Sequence, residues 1–207
     1  MRRDFLATAR VAADLLRTPA VRDRWDEPSA LPAFSVGGLA GHLAFQVLVV
    51  AQVLGDPVPE EPVISLLDHY GRVEWIGADL DDEINVRIRD GGSSVAAEGP
   101  VALAARVDAV LASLDLAAVP ARPVRMALWG PWALMLDDLL VTRMMELVVH
   151  ADDLAVSVGI DTPAFPEGAV SSVVDLLVRL AVRRHGSTAV VRALSRTERA
   201  PATVAAF

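Results

Sequence analysis

Residues 134–158 read LMLDDLLVTRMMELVVHADDLAVSV, and Gly159 follows them. The stretch predicts a long helix from near Leu134 to Val158, with Gly159 as its C-terminal stop signal. Within it, Glu146 and His150 are four positions apart, so their side chains leave the same face one turn from each other. Leu147, Val148 and Val149 between them are apolar, which sets the pair within or beside the core-facing surface. A buried glutamate is costly unless it is paired or bound to a cation. A divalent ion held by the carboxylate and the imidazole would offset that cost. The spacing by itself also fits a surface or hydrogen-bonded pair, since Glu-x-x-x-His arises often in helices.

Working outward, His42 supplies a third donor. Ser35 can cap a helix that runs to about Leu54 and ends at Gly55-Asp56-Pro57, because a serine hydroxyl accepts from the free N–H groups of a first turn. His42 lies two turns into that helix, between Leu39, Leu43 and Gln46, in a stretch nearly free of charge. Alone, such a histidine is more often a core residue bonded to a carbonyl. If this helix faces the one carrying Glu146 and His150, the three form a His/Glu/His set. Three protein ligands with the remaining positions open is the arrangement of a catalytic zinc site. No HExxH spacing is present, which excludes the usual metalloprotease pattern.

The rest of the chain reads as further helices. Phe5, Leu6, Ala9, Ala12, Ala13 and Leu16 recur at three- and four-residue steps, predicting a first helix over Asp4 to Trp25. Residues 26–34 form a turn-rich connection. Residues 56–100 are the least patterned: Ile64 to Ile76 fits a helix, and Gly91-Gly92-Ser93-Ser94 reads as a polar loop. Val101 to Leu116 is a third long helix, with Leu103, Val107, Val110, Leu111 and Leu114 on one face. Between Pro120 and Pro131 the chain is extended or turning, with a short strand over Val124 to Leu128. Pro166 and Glu167 open a last helix to about His185, followed by a polar, arginine-bearing tail. With no repeat and no long linker, residues 1–207 read as a single all-α domain, a helical bundle with little or no strand.

Composition narrows the function classes. The chain has 207 residues, enough to bury a core without a metal or disulfide staple, so a metal here is functional. There is no cysteine, which removes disulfides, thiolate ligands and a cysteine nucleophile; any thiol chemistry must use a thiol from outside. The net charge is −8 and all nineteen basic residues are arginine. The acidic balance without a cationic cluster argues against a nucleic-acid partner, and the lack of lysine excludes a Schiff-base lysine. Apolar stretches read as interrupted before the length that spans a bilayer, the longest being Leu43 to Leu54. Arg2, Arg3, Asp4, Arg10 and Asp14 break up any secretory signal. The expectation is a cytoplasmic protein with neither a membrane nor a nucleic-acid partner, for which a homodimer stays open.

Three stretches resemble one family. WDEPSALPAFSVGGLAGHL at 25–43 resembles the first metal-ligand region of the mycothiol-dependent maleylpyruvate isomerase N-terminal domain, a branch of the DinB-like superfamily. RMMELVVHADDLA at 143–155 is similar to that family's metal-binding helix, and RHGSTAVVRALSRTERAP at 184–201 to its closing segment. Residues 56–100 carry little of the likeness. The resemblance implies a DinB-like four-helix bundle with an additional C-terminal helix, holding zinc or another divalent metal at His42, Glu146 and His150. It also implies a low-molecular-weight thiol cosubstrate, usually mycothiol, which the metal holds as thiolate. The isomerase proper carries a second, C-terminal domain that contributes to its active site. The expectation for this chain is therefore a thiol S-transferase or isomerase acting on another small electrophile. A hydrolase, lyase or cyclase using metal-bound water, or a non-catalytic metal- or ligand-binding module, stands as the alternative.

Other residues complete the expected site. Asp153, three positions after His150, either accepts from that histidine's other N–H or is an ordinary exposed carboxylate; Asp152 has the weaker claim. Arg143 either orients Glu146 or a substrate carboxylate through paired hydrogen bonds, or forms a surface ion pair. Trp129 and Trp132 flank Gly130-Pro131 and either wall the ligand pocket or serve as plain packing. His69 reads as solvated rather than as a fourth ligand or proton shuttle. His185 reads as interacting with the C-terminus of its helix.

Overall fold

The computed structural model describes residues 1–207. The first helix, α1 (Arg2–Leu16), turns Phe5, Ala9, Ala12, Ala13 and Leu16 inward, as the periodicity predicts. It does not continue to Trp25. The Thr18-Pro19 step ends it, because proline has no N–H to extend the ladder and restricts the residue before it. Thr18 instead caps a short α2 (Pro19–Asp23), its hydroxyl accepting from Val21 N at 3.4 Å.

Ser35 caps α3 (Val36–Gly55), accepting from Gly38 N at 3.0 Å. By length and composition this helix is apolar enough to cross a membrane, which corrects the reading of its stretch as interrupted. It is instead the central helix of the core, with Leu39, Ala40, Leu43, Ala44 and Val50 fully buried.

Residues 56–100 hold two helices. The first, α4 (Leu66–Tyr70), is much shorter than the expected Ile64 to Ile76. The second, α5 (Glu83–Val95), runs through Gly91-Gly92-Ser93-Ser94, so the expected polar loop is helical. Packing accounts for it. A Cβ on Gly92 would lie 2.5 Å from the Gly38 carbonyl oxygen, and one on Gly41 would lie 2.0 Å from that of Gly92. The glycines let two helix backbones touch, and that contact offsets their poor helix propensity.

Helix α6 (Pro100–Ser113) begins with proline at its first turn. The expected strand near Val124 shrinks to β1 (Pro123–Val124), paired antiparallel with β2 (Leu134–Met135). The decisive helix, α7 (Leu136–Val158), therefore starts two residues later than Leu134 and ends at Gly159, whose φ of 69° is the left-handed stop. Helix α8 (Glu167–His185) matches its expected span, but the supposed tail contains a further helix, α9 (Ser187–Ser195).

The elements α1, α7, α3 and α6 pack in a ring, with α1 and α3 also in contact across it; α5 lies along α3, and α8 lies outside against α7 and α1. This is an all-α four-helix bundle with additional C-terminal helices and one two-stranded ribbon. Phe5, Leu43, Leu103, Leu140 and Met144 are among its largest fully buried side chains. The ring places α3 beside α7, and this contact brings residues 42, 146 and 150 together.

Candidate metal centre

His42 extends from the middle of α3 toward α7, where Glu146 and His150 share one face. The Nε2 atoms of His42 and His150 lie 3.3 and 3.2 Å from the same oxygen, Glu146 Oε2. The imidazole rings meet edge to face with centroids 4.8 Å apart. The three donor atoms all lie within 4.8 Å of one another. Ligands at about 2.0–2.1 Å from a tetrahedral ion are separated by about 3.3 Å, so these side chains fit one divalent ion with little rearrangement. Each is mostly buried, the glutamate side chain most of all at 12% exposure.

Their electrostatics follow from that burial. For His42, burial dominates and lowers the imidazole pKa; Glu146 opposes the shift, and the charges of His150 and Arg143 reinforce it. This leaves His42 neutral, the state in which a histidine binds metal. His150 is buried too, but hydrogen bonds to Asp153 and Glu146 and their charges outweigh desolvation and raise its pKa to about 9. For Glu146, burial pushes upward, yet hydrogen bonds from His150 and His42 and the charges of His150 and Arg143 hold the carboxyl well below the usual range. The glutamate is therefore ionised and balanced by its neighbours, as a buried carboxylate must be.

Of the two acidic candidates after His150, Asp153 lies against it: Oδ2 is 2.9 Å from His150 Nδ1. This accounts for Nδ1 and leaves Nε2 aimed at Glu146. Asp152 bonds the Thr162 hydroxyl instead and is exposed. Arg143 is buried, which removes the surface ion pair. It makes no hydrogen bond to Glu146 either: Nη1 donates to Gln46 Oε1 and Nε to Thr142 Oγ1. Its charge reaches Glu146 through space. Gln46, noted in the sequence only as a neighbour of His42, also donates to the His42 carbonyl at 2.9 Å. Its i+4 offset from His42 was the available signal.

The tryptophans sit around His69, which is 2% exposed and not solvated as its sequence context suggested. Trp132 Nε1 donates to His69 Nδ1 at 3.1 Å, and the Trp129 ring centroid is 4.4 Å from that of His69. Indole nitrogen is only a donor, so Nδ1 must be the unprotonated acceptor. His69 is not within ligating distance of the triad. Burial, then the charge of Arg143, lowers its pKa to about 4, with Glu146 opposing. Tyr70 beside it has a buried hydroxyl without a protein partner; burial foremost, then the charge of Glu146, raises its pKa against the opposing pull of Arg143. His185 bonds the Ala205 carbonyl at 2.8 Å and so anchors the chain terminus rather than its own helix end.

Fold and site together define a helical bundle whose central helices can present a His/Glu/His donor set to a metal ion. The mycothiol maleylpyruvate isomerase N-terminal domain family model matches residues 5–155, and the chain belongs to that family. Its fold is accordingly the DinB-like bundle. No curated protein and no solved structure matches the chain significantly. The matched span contains all three donors together with Gln46, Arg143 and Asp153.

Proposed function

We propose that this chain is a metal-dependent enzyme acting on a small molecule, with His42, Glu146 and His150 as ligands and mycothiol as thiol cosubstrate. The observation that carries the reading is two imidazole nitrogens within 3.3 Å of one ionised carboxylate oxygen, in a family tied to mycothiol. Two imidazoles and a carboxylate are a donor set of catalytic zinc sites, so zinc is the ion proposed. When bound, the ion would hold the thiol as thiolate, supplying a nucleophile that a cysteine-free chain lacks.

The chain's own residues have distinct tasks in this reading. Asp153 fixes the ring of His150 and its tautomer. Arg143 places a buried positive charge near the donors, suited to a carboxylated electrophile. Trp129 and Trp132 provide apolar wall, and shape selects the substrate. The reaction proposed is S-transfer or isomerisation of a small electrophile, carried out in the cytoplasm by a single-domain bundle, with a homodimer as the assembly to test for.

Mycothiol titrated into zinc-loaded protein tests the reading by calorimetry. Binding that releases about one proton near neutral pH, and disappears when zinc is stripped, supports it. Equal binding by the stripped protein would overturn it.

A further inference from the structure

The side-chain amide of Gln46 is almost wholly enclosed, at 1% exposure, and its orientation is fixed from one side. Its Oε1 accepts from the guanidinium of Arg143. Flipping the amide would set an NH2 donor against an arginine that has only donors. The NH2 group must therefore face His42. One of its hydrogens goes to the His42 carbonyl, 2.9 Å away. The other faces His42 Nε2 at 3.2 Å, the atom that also lies 3.3 Å from Glu146 Oε2.

In the metal-free chain His42 Nε2 donates to the ionised Glu146, and a bound metal ion would take the lone pair of that nitrogen, so in neither state does the second N–H of Gln46 have His42 Nε2 as an acceptor. A buried N–H without an acceptor is costly. Glu146 and His150 are committed to the ion in the same reading, so an acceptor must arrive with the exogenous ligand.

We propose that Gln46 is a ligand-binding residue whose second amide N–H donates to the anionic sulfur or oxygen atom that binds at the metal centre, with Arg143 as the positioning residue that prevents the amide from flipping. The proposal rests on the metal reading above. It adds a selection for anions: a fixed N–H 3.2 Å from a ligand nitrogen favours a charged acceptor over a neutral one. Arg143 thereby acts on the ligand through Gln46 as well as through its charge.

The test uses the full chain loaded with cobalt(II), whose visible absorption reports the coordination sphere, and two probes, N-acetylcysteine and azide. Gln46→Met removes the donor at similar length. Gln46→Glu keeps a partner for Arg143 while replacing the N–H with an oxygen, which guards against simple loss of fold. Both variants should weaken each anion that the wild type binds by about tenfold or more, the loss of one hydrogen bond to a charged acceptor. Gln46→Met should leave the cobalt affinity within about threefold, the change of one bond outside the ligand set being small. Unchanged anion affinity in both variants would overturn the proposal, and so would a wild-type protein that binds cobalt but neither anion. A wild type that binds azide but not the thiol would refute the thiol reading while the azide series still judges Gln46. Failure to bind cobalt at all would refute both.

Discussion

Asp153 Oδ2 and His150 Nδ1 are 2.9 Å apart across one turn of α7, and the Asp153 backbone carbonyl in turn accepts from the Ser157 hydroxyl at 2.6 Å. The Ser157 oxygen accepts from Ala30 N at 2.8 Å, which ties this turn to the loop leading into α3. The carboxylate thus holds one ligand from the same segment that helps to place the other helix. Asp153→Asn should lower zinc affinity by about 10–100-fold, the usual cost of losing a partner behind a ligand histidine. Competition with a chromophoric chelator measures it. An unchanged affinity would leave Asp153 a structural role only.

Occupancy is the simplest prediction. Purified protein should carry close to one divalent ion per chain, and His150→Ala should lower that content sharply while the circular dichroism spectrum keeps its helical form. His150 retains 21% side-chain exposure and α7 is held by Leu139, Leu140, Met144 and Leu147, all fully buried. Elemental analysis of both proteins decides the matter; undiminished metal in the variant would refute the ligand assignment.

Zinc binding should depend on pH through His150. Its pKa, raised to about 9, means that an incoming ion must displace a proton at neutral pH, whereas His42, shifted downward, is already free of one. About one proton should leave per ion, and apparent affinity should rise about tenfold per pH unit toward pH 9 before levelling. The sign for the metal-free chain is opposite. A raised folded-state pKa contributes stability that is fully present below about 6.5 and lost as pH rises through about 9. Calorimetry in buffers of different ionisation enthalpy counts the proton, and release of none at pH 7 would contradict this account.

The four core helices were legible because each carries its own signal: the apolar steps from Phe5 to Leu16, the Ser35 cap, the Leu103 to Val107 face and the Gly159 stop. The triad was legible in part. Glu146 and His150 declare themselves by spacing within one helix, whereas His42 gains meaning only from the packing of α3 on α7. What stayed hidden depends on distant partners. His69 lies between Asp68 and Tyr70 and meets Trp132 only in the folded chain, 63 residues on. Gln46 and Arg143 are 97 positions apart. Residues 91–94 carry loop composition, and no local pattern reveals that Gly92 is selected by a backbone on another helix.

That packing gives adjacent glycines opposite predicted effects. A Cβ on Gly92 would meet the Gly38 carbonyl oxygen at 2.5 Å and His42 N at 3.3 Å, whereas one on Gly91 meets nothing within 4 Å. Gly92→Ala should destabilise the chain by about 1–3 kcal/mol through overpacking and should also disturb zinc affinity by shifting His42. Gly91→Ala should stabilise by about 0.5–1 kcal/mol, since alanine is the better helix former. Thermal unfolding of the pair tests this; equal behaviour of the two variants would show that α5 does not press on α3 as described.

The last prediction concerns acid stability and His69. Its folded-state pKa near 4 lies below the unfolded value of 6.5, because burial disfavours the imidazolium and the Arg143 charge adds to that. Between these values the unfolded chain binds a proton that the folded chain refuses, so stability falls as pH drops from about 6.5 to about 4. The Trp132 hydrogen bond enforces the same state, since protonating Nδ1 would set one donor against another. His42 and Glu146 shift in the same direction and His150 and Asp138 in the other, so the wild-type profile alone mixes several sites. His69→Asn separates them: its amide oxygen can still accept from Trp132 Nε1, but it does not titrate. Denaturant unfolding of metal-free wild type and variant should give a stability difference that is constant above about pH 7 and shifts toward the variant by up to about 3 kcal/mol as pH approaches 4. A difference independent of pH across that range would mean that His69 accepts a proton in the folded chain, and its assignment as a neutral, tautomer-locked imidazole would fail.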